Sequence, residues 1–317
     1  MITRRHIIPI IVFLVSLAIG NGWIQYKQMV VGEMIMEAEE KGMPVMALGG
    51  TYDIFVGSID EGFVKLYMPL ASIASTYHHF FTEEGFLRAI FMGVNPTNLP
   101  EKSEVLEFKL PQLQAKRLDS INWDNSLVWQ FHSFLYNHGE KEILSVYDDH
   151  IAVDSLLTGR SYRIEFNEDK PWSIAKGTGN RAWSFAFSSD SKVLMVVIGA
   201  YGKLFTLLRY DLNIKKWTDL GDFSGTLTGV GPEGNFYSSV NFGTSPPTTE
   251  ICDGHTGAIL KSVQGLNVTN IGRRWVACLK LGSGKEVILF DMQDNWKEYR
   301  IKIPFMNLIP SMAMYEP

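Results

Sequence analysis

WSFAFSSDSKVLMVVIGAYGKLFTLLRYDLNIKKWTDL, residues 183–220, holds four short apolar runs cut by Ser, Asp, Asn and Gly. The runs cover residues 183–187, 193–199, 205–211 and 216–220. Each has the length of a strand, and the residues between them are turn formers. The stretch reads as four antiparallel strands joined by tight turns.

The same texture continues downstream. Runs at 227–230, 236–242, 249–253 and 258–263 form a second set, and runs at 268–271, 275–281, 286–291 and 298–303 form a third. The third run of each set ends in aspartate: Asp211-Leu212, Asp253-Gly254 and Asp291-Met292. The aspartates are 42 and 38 residues apart. Asp154, 57 residues before Asp211, is a fainter earlier member. A period of about 40 residues with four strands per unit predicts a β-propeller. One four-stranded blade leaves both faces uncovered, so blades stack around an axis and cover one another. A β-sandwich, whose strands also recur at short intervals, is the competing architecture.

Particular residues carry a family resemblance. Phe187-Ser188-Ser189-Asp190-Ser191-Lys192-Val193-Leu194 resembles the turn between the first two strands of WD40-like and TolB-like blades. Tyr210-Asp211-Leu212 with Lys216-Trp217, and Asp253-Gly254-His255-Thr256-Gly257, resemble the return into the fourth strand. The resemblance is best over residues 181–303, and the Trp-Asp dipeptide that closes true WD40 repeats is absent. It implies an all-β propeller with Asp190, Asp211, Asp253 and Asp291 at blade turns. About 40 residues per blade over 45–305 implies six blades, or seven.

The first half carries the pattern less clearly. Runs at 45–48, 52–57, 63–68, 86–93 and 104–110 read as strands, as do 126–131, 142–147, 150–154 and 161–166. Residues 71–84 fit a short helix or a loop, and 94–102, with Pro96 and Pro100, read as a loop.

The N-terminus has a different chemistry. Arg4-Arg5-His6 precedes an uncharged run from Ile7 to Ile24, with Tyr26-Lys27 after it. As a helix the run extends about 27 Å, close to the roughly 30 Å of a bilayer core. Ile7, Ile11, Phe13, Leu14 and Leu17 would face lipid, and Trp23 and Tyr26 would form the interfacial belt. Arg4 and Arg5 keep the N-terminus cytoplasmic and send the rest across, to a periplasmic, extracellular or lumenal side. A cleaved signal peptide competes, because Ala18-Ile19-Gly20 has small-x-small form. The aromatic belt and the apolar stripe Met29, Val30, Met34, Ile35 beyond it favour a retained anchor that continues as a helical stalk. The expected organisation is therefore an anchor at 1–27, a stalk at 28–44, the propeller at 45–305 and a C-terminal tail at 306–317.

Chemistry-bearing patterns are sparse. A net charge of −5 with both signs interspersed argues against nucleic acid as a partner. Cys252 and Cys278 lack metal-ligand spacing; an exported domain would allow a disulfide between them, and two small buried side chains are the other reading. His78-His79 with Glu83-Glu84 is a local cluster of metal-capable side chains, but adjacent residues diverge in either regular element, so a polar loop fits better. His132, His138 and His150, the last preceded by Asp148-Asp149, have no recognisable nucleophile turn to complete them. Gly177-Thr178-Gly179-Asn180 and Gly282-Ser283-Gly284-Lys285 lack the Walker spacing and read as turns. Asn267-Val268-Thr269 is a glycosylation sequon that matters only on a eukaryotic secretory route. No catalytic, cofactor or metal set is expected.

Two function classes follow. One is a membrane-tethered propeller that binds other protein subunits, as a scaffold or accessory subunit. The other is an exported propeller hydrolase, lyase or ligand-binding protein using its central channel. A third, lesser role has the anchor itself packing among other membrane helices.

Overall fold

The computed structural model describes residues 4–49, 53–67, 76–83, 86–93, 103–109, 114–121, 134–137, 142–146, 150–155, 157–165, 181–188, 190, 192–200, 204–280, 285–303 and 311–317. One helix, α1 (Arg4–Lys41), precedes the strands. The described strands form six antiparallel four-stranded sheets.

The first sheet is ordered β24 (Ser311–Tyr315), β1 (Val45–Gly49), β2 (Asp53–Ser58), β3 (Gly62–Tyr67). The second contains β4 (Thr76–Glu83), β5 (Phe86–Gly93), β6 (Ser103–Lys109) and β7 (Gln114–Ile121). The third contains β8 (Phe134–Asn137), β9 (Glu142–Val146), β10 (His150–Ser155) and β11 (Ser161–Glu165). The fourth contains β12 (Arg181–Phe187), β13 (Val193–Gly199), β14 (Phe205–Asp211) and β15 (Lys216–Phe223). The fifth contains β16 (Thr226–Val230), β17 (Phe236–Asn241), β18 (Thr248–Asp253) and β19 (Ile259–Gln264). The sixth contains β20 (Leu266–Ile271), β21 (Trp275–Lys280), β22 (Glu286–Asp291) and β23 (Lys297–Lys302). Sheets two to six pair their strands in chain order, as meanders.

The third to sixth sheets and then the first stack face to face in succession. Alternate residues of β13 point to opposite faces. Leu194, Val196 and Ile198 join Leu144, Ile151, Val153 and Ile164 of the third sheet. Val193, Met195 and Val197 join Leu227, Val230, Tyr237 and Cys252 of the fifth. All seven β13 residues are buried, which is why this strand is continuously apolar. Ile251 meets Val276, Cys278, Ile288 and Phe290 of the sixth sheet. Trp275, Ala277 and Leu289 of the sixth meet Met46, Leu48 and Phe55 of the first. The first strands of neighbouring sheets touch along the inner edge, β12 with β16, β16 with β20 and β24 with β4. This radial stacking is the architecture of a propeller.

Both chain ends complete the first sheet. β24 pairs with β1 from Val45↔Tyr315 to Gly49↔Ser311. Residues 311–315 are therefore a strand rather than part of the tail expected at 306–317, of which 306–310 lie outside the described residues. The pairing spans nearly the whole chain, so no local pattern reveals it. The carboxylate of Glu316 then accepts the backbone N–H groups of Arg273, Arg274 (2.6 Å) and Trp275 (3.1 Å), tying the chain end to the β20–β21 turn.

Three other strands escaped the local reading. Residues 76–83, within the segment read as helix or loop, form β4. β7 (QAKRLDSI) lacks a clear apolar run, and the run in β8 (FLYN) is only three residues long. The strand expected at 126–131 lies outside the described residues.

The segment expected as a stalk is part of the domain. α1 runs unbroken to Lys41 and buries Val31, Met34 and Ala38 against Val45, Ala47, Ile54, Val56, Leu66 and Tyr315. Spacings of three and four put these residues on one helix face. They cover the face of the first sheet opposite the sixth, because Met46 and Ala47 alternate across β1. Among the described residues no helix is long and apolar enough to cross a membrane. The side chains of Ile7, Ile11, Phe13, Leu14 and Leu17 lie outside that description.

Candidate functional site

The junction between α1 and the first sheet is the candidate site, because it joins the N-terminal helix to the propeller. α1 ends in a Schellman-type reversal, with Met43 N–H donating to the Ala38 carbonyl at 2.9 Å and Gly42 at φ 64°. Glycine takes this left-handed conformation without a Cβ clash. Three residues, Gly42 to Pro44, then turn the chain into β1.

Polar contacts frame the apolar seat. The Tyr315 hydroxyl donates to the Glu39 carboxylate at 2.7 Å. Burial, with the Glu39 carboxylate as a second cause, pushes the Tyr315 phenol up to about 12. Lys41 Nζ bridges Glu37 at 2.7 Å and Asp60, in the β2–β3 turn, at 2.8 Å. Those contacts, the one to Asp60 foremost, raise the Lys41 amine, but the groups are exposed and such pairs contribute little to stability. Farther along the helix, Trp23 and Tyr26 are exposed with ring centroids 5.9 Å apart, and Lys27 Nζ sits 5.3 Å from the Trp23 ring.

The blade-turn aspartates lie in different turns and serve the backbone. Asp211 Oδ1 accepts the N–H groups of Asn213 and Ile214 at 3.0 and 3.2 Å. Asp253 Oδ1 accepts from the N–H groups of His255 and Thr256 and from the Thr256 hydroxyl, which chiefly holds its carboxyl below the usual range. Asp291 Oδ1 accepts from Gln293 and Asp294. Arg274 also grips it with Nε–Oδ1 at 2.9 Å and a second nitrogen on Oδ2 at 2.5 Å. That guanidinium holds the Asp291 carboxyl below the ordinary carboxylate range. Such Asx turns satisfy backbone donors that the hairpin leaves unpaired.

In the third sheet this place belongs to Ser155, not Asp154. Ser155 Oγ accepts from Thr158 N–H at 3.4 Å, and Ser155 N–H donates to Arg160. Asp154 instead receives the Ser161 hydroxyl. In the first sheet Ser58 takes the role, accepting from Glu61 at 3.3 Å. A shorter side chain serves the same turn, so a search for aspartate alone misses both.

Asp190 differs from the others, since it lies in the β12–β13 turn and reaches the next blade. Its Oδ1 accepts the Ser188 hydroxyl at 2.6 Å, and its Oδ2 accepts the Glu233 N–H of the fifth sheet at 3.1 Å. Lys192 Nζ reaches the Glu233 carboxylate at 3.0 Å. Glu233 has φ 56°, a strained value for a non-glycine residue that these contacts hold in place.

The cysteines are not bridged. Cys252 and Cys278 are free and buried, in different interfaces: Cys252 faces the fourth sheet, Cys278 the fifth. They sit on different sheets and pack as small apolar side chains. Burial pushes the Cys252 thiol up to about 11 and raises that of Cys278 further.

Among the described residues no group of three or more His, Cys, Asp or Glu could hold a metal ion. His78 and His79 are neighbours on β4, and His150 is buried in β10. His132, His138 and both glycine-rich stretches, apart from Lys285, lie outside the described residues.

The stacked four-stranded sheets define the class: this chain has a β-propeller fold. The structure of TolB from Acinetobacter baumannii is similar, with a TM-score of 0.54 and 12% identity over 88% of this chain and 69% of that one. So is a chain of a nidogen/laminin complex, with a TM-score of 0.53 and 10% identity over 86% of this chain and 98% of that one. No protein-family model and no curated protein matches the sequence.

Proposed function

We propose that the chain is a membrane-anchored, extracytoplasmic propeller of six blades that serves as an interaction scaffold or accessory subunit of a membrane complex. One observation carries the reading: α1 is a single helix from Arg4 to Lys41, and its C-terminal part is built into the core of the first sheet. Its N-terminal part is the uncharged run from Ile7 to Ile24, followed by exposed Trp23, Tyr26 and Lys27. A retained apolar helix fused rigidly to a propeller holds that propeller at a fixed place on a membrane. In this reading residues 1–27 form the anchor and residues 28–317 the domain. Arg4 and Arg5 set the N-terminus in the cytoplasm.

Protein partners are supported by the fold's repeated exposed rims, and the similar nidogen/laminin structure is itself an assembly of proteins. Fold alone does not fix function, so the test is direct. The full chain is extracted from its native membrane in mild detergent and sized. Retention in the pellet after alkaline carbonate wash and a stoichiometric protein partner are expected. Release by carbonate sinks the anchor. A lone monomer carrying a bound small molecule or metal would favour the enzyme or ligand-binding alternative instead.

A further inference from the structure

We propose that the outward face of α1 docks on the β10–β11 and β14–β15 turns of a second copy of this chain, in a head-to-tail contact. The inference is independent of the membrane anchor. It starts from the helix. Val31, Met34 and Ala38 bury one side of α1. Met29, Glu33, Met36 and Glu40, spaced by four, three and four residues, line the opposite side. All four are exposed, Met29 by 53% and Met36 by 58%. Lys41, the one base between residues 33 and 41, is taken up by Glu37 and Asp60. The β2–β3 turn beside the helix end adds exposed Glu61. This side of the molecule is apolar and acidic.

The complementary surface lies on the third and fourth sheets. Leu157, in the β10–β11 turn, is 74% exposed, and Ile214, in the β14–β15 turn, is 68% exposed. Lys215 Nζ sits 5.9 Å from the Tyr162 ring, so the two turns adjoin. Arg160, Lys215 and Lys216 are exposed around them, and residues 157–163 and 212–218 contain no acid. Other described turns do not combine exposed apolar groups with a basic surround. No Lys or Arg stands between Asp253 and Leu260, the β22–β23 turn sets Asp294 against Lys297, and residues 242–247 carry no charge.

Charge complementarity selects the occupant. Among the described residues no ion pair engages Glu33, Glu40, Arg160, Lys215 or Lys216. The fourth sheet is three stacking interfaces from the first, through the fifth and sixth, so one molecule does not bring its own two surfaces together. Pairing α1 with α1 of another copy would set Glu33 and Glu40 against like charges. Seating it on the turns sets them against Arg160, Lys215 and Lys216, and Met29 and Met36 cover Leu157 and Ile214. Methionine suits such a seat, because its flexible thioether adapts to irregular apolar surfaces. Two different patches meet in this contact, so copies extend into rows or close into rings. Exposed charge pairs each contribute little, so the association is weak and salt-sensitive.

The test follows sedimentation of the full chain in mild detergent, across protein concentration, at low and at high salt. One variant, E33K/E40K, reverses the helix face, and another, K215E/K216E, reverses the turn. All four side chains are exposed, so the circular dichroism of both variants should match the parent. The parent is expected to form concentration-dependent oligomers at low salt and to dissociate at high salt. Each reversal should weaken association roughly tenfold or more. An equimolar mixture of the two variants should recover it, because each then offers the surface that the other needs. A parent that stays monomeric at low salt overturns the proposal. Oligomers that persist in K215E/K216E also overturn it and point to pairing of α1 with α1. A mixture that fails to recover association overturns it as well.

Discussion

The hydroxyl of Tyr315 donates to the carboxylate of Glu39 at 2.7 Å, joining the last strand to the first helix across 276 residues of chain. β24 and α1 are thus held to each other as well as to β1. The bond ties the docked helix to the strand that completes the first sheet.

Tyr315→Phe keeps the packed ring and deletes the hydrogen bond. A part-buried bond of this kind contributes about 1 kcal/mol, so a small drop in the urea midpoint at unchanged slope is expected. The pH dependence is distinctive. The Tyr315 phenol is raised from 10.0 to about 12, so the folded state holds a proton that the unfolded chain releases near pH 10. The stabilisation is complete below pH 10 and is lost as pH rises toward 12. Stability titrations should show that alkaline loss in the parent and a shallower one in Tyr315→Phe.

Glu316→Gln tests the latch on the sixth sheet. Its carboxylate accepts three consecutive backbone N–H groups, from Arg273 to Trp275. Bonds to a charged acceptor are stronger than neutral ones, so a loss of roughly 2 kcal/mol is expected. Removal of residues 311–317 also deletes β24 and bares the edge of β1. Exposed edges pair with other chains, so the truncated protein should aggregate, read by light scattering, where Glu316→Gln stays monodisperse.

The turn aspartates should not be equivalent. Asp291 is 1% exposed and bound to Arg274 on both oxygens, whereas the Asp211 turn makes two backbone contacts. Asp211→Ala should cost about 1 kcal/mol, and Asp291→Ala about 2–4 kcal/mol, because it strands a part-buried guanidinium. The Asp291 carboxyl is held low, so its contribution is present above pH 3.8 and fades as pH falls further. Acid unfolding curves of parent and Asp291→Asn should converge at low pH; parallel curves would exclude that linkage.

Thiol chemistry checks the cysteines. With Cys252 and Cys278 free and buried, native protein should react slowly with a thiol reagent and unfolded protein should release two thiols. A reducing agent should leave Tm unchanged. A Tm lowered by reductant would mean that a bridge forms.

The turns and strands from 183 onward were legible because each element is local. β13 shows its double burial as an unbroken apolar run, and Asp211, Asp253 and Asp291 mark turns whose hydrogen bonds span two or three residues. What stayed hidden depends on distant partners. Met312, Met314 and Tyr315 become a strand only through β1. Val31, Met34 and Ala38 read as a stripe on a stalk, and only the sheet beneath makes that stripe a buried face. Ser155 escaped because the turn needs an oxygen acceptor of suitable reach, and serine supplies one without repeating the aspartate signal. For the junction, sequence showed the apolar face but not what covers it.

That covered face supports the last prediction. Met34 is 2% exposed among Val45, Ala47, Ile54 and Leu66, so Met34→Ala leaves a cavity in the junction and should cost roughly 2–5 kcal/mol. Ala38→Arg is harsher, because Ala38 is 3% exposed and the bulk of an arginine there displaces the helix even with Glu37 and Asp60 lining the neighbouring cleft. The sheets have their own interfaces, from β13 outward, which do not involve α1. Ala38→Arg should therefore retain β-sheet circular dichroism while the helix detaches and the Gly42–Pro44 connection becomes cleavable by protease. Met34→Ala should show the same cleavage only at higher temperature. If Ala38→Arg instead unfolds sheet and helix in one transition, the junction is part of the folding core, and the helix is as integral to the propeller as β24.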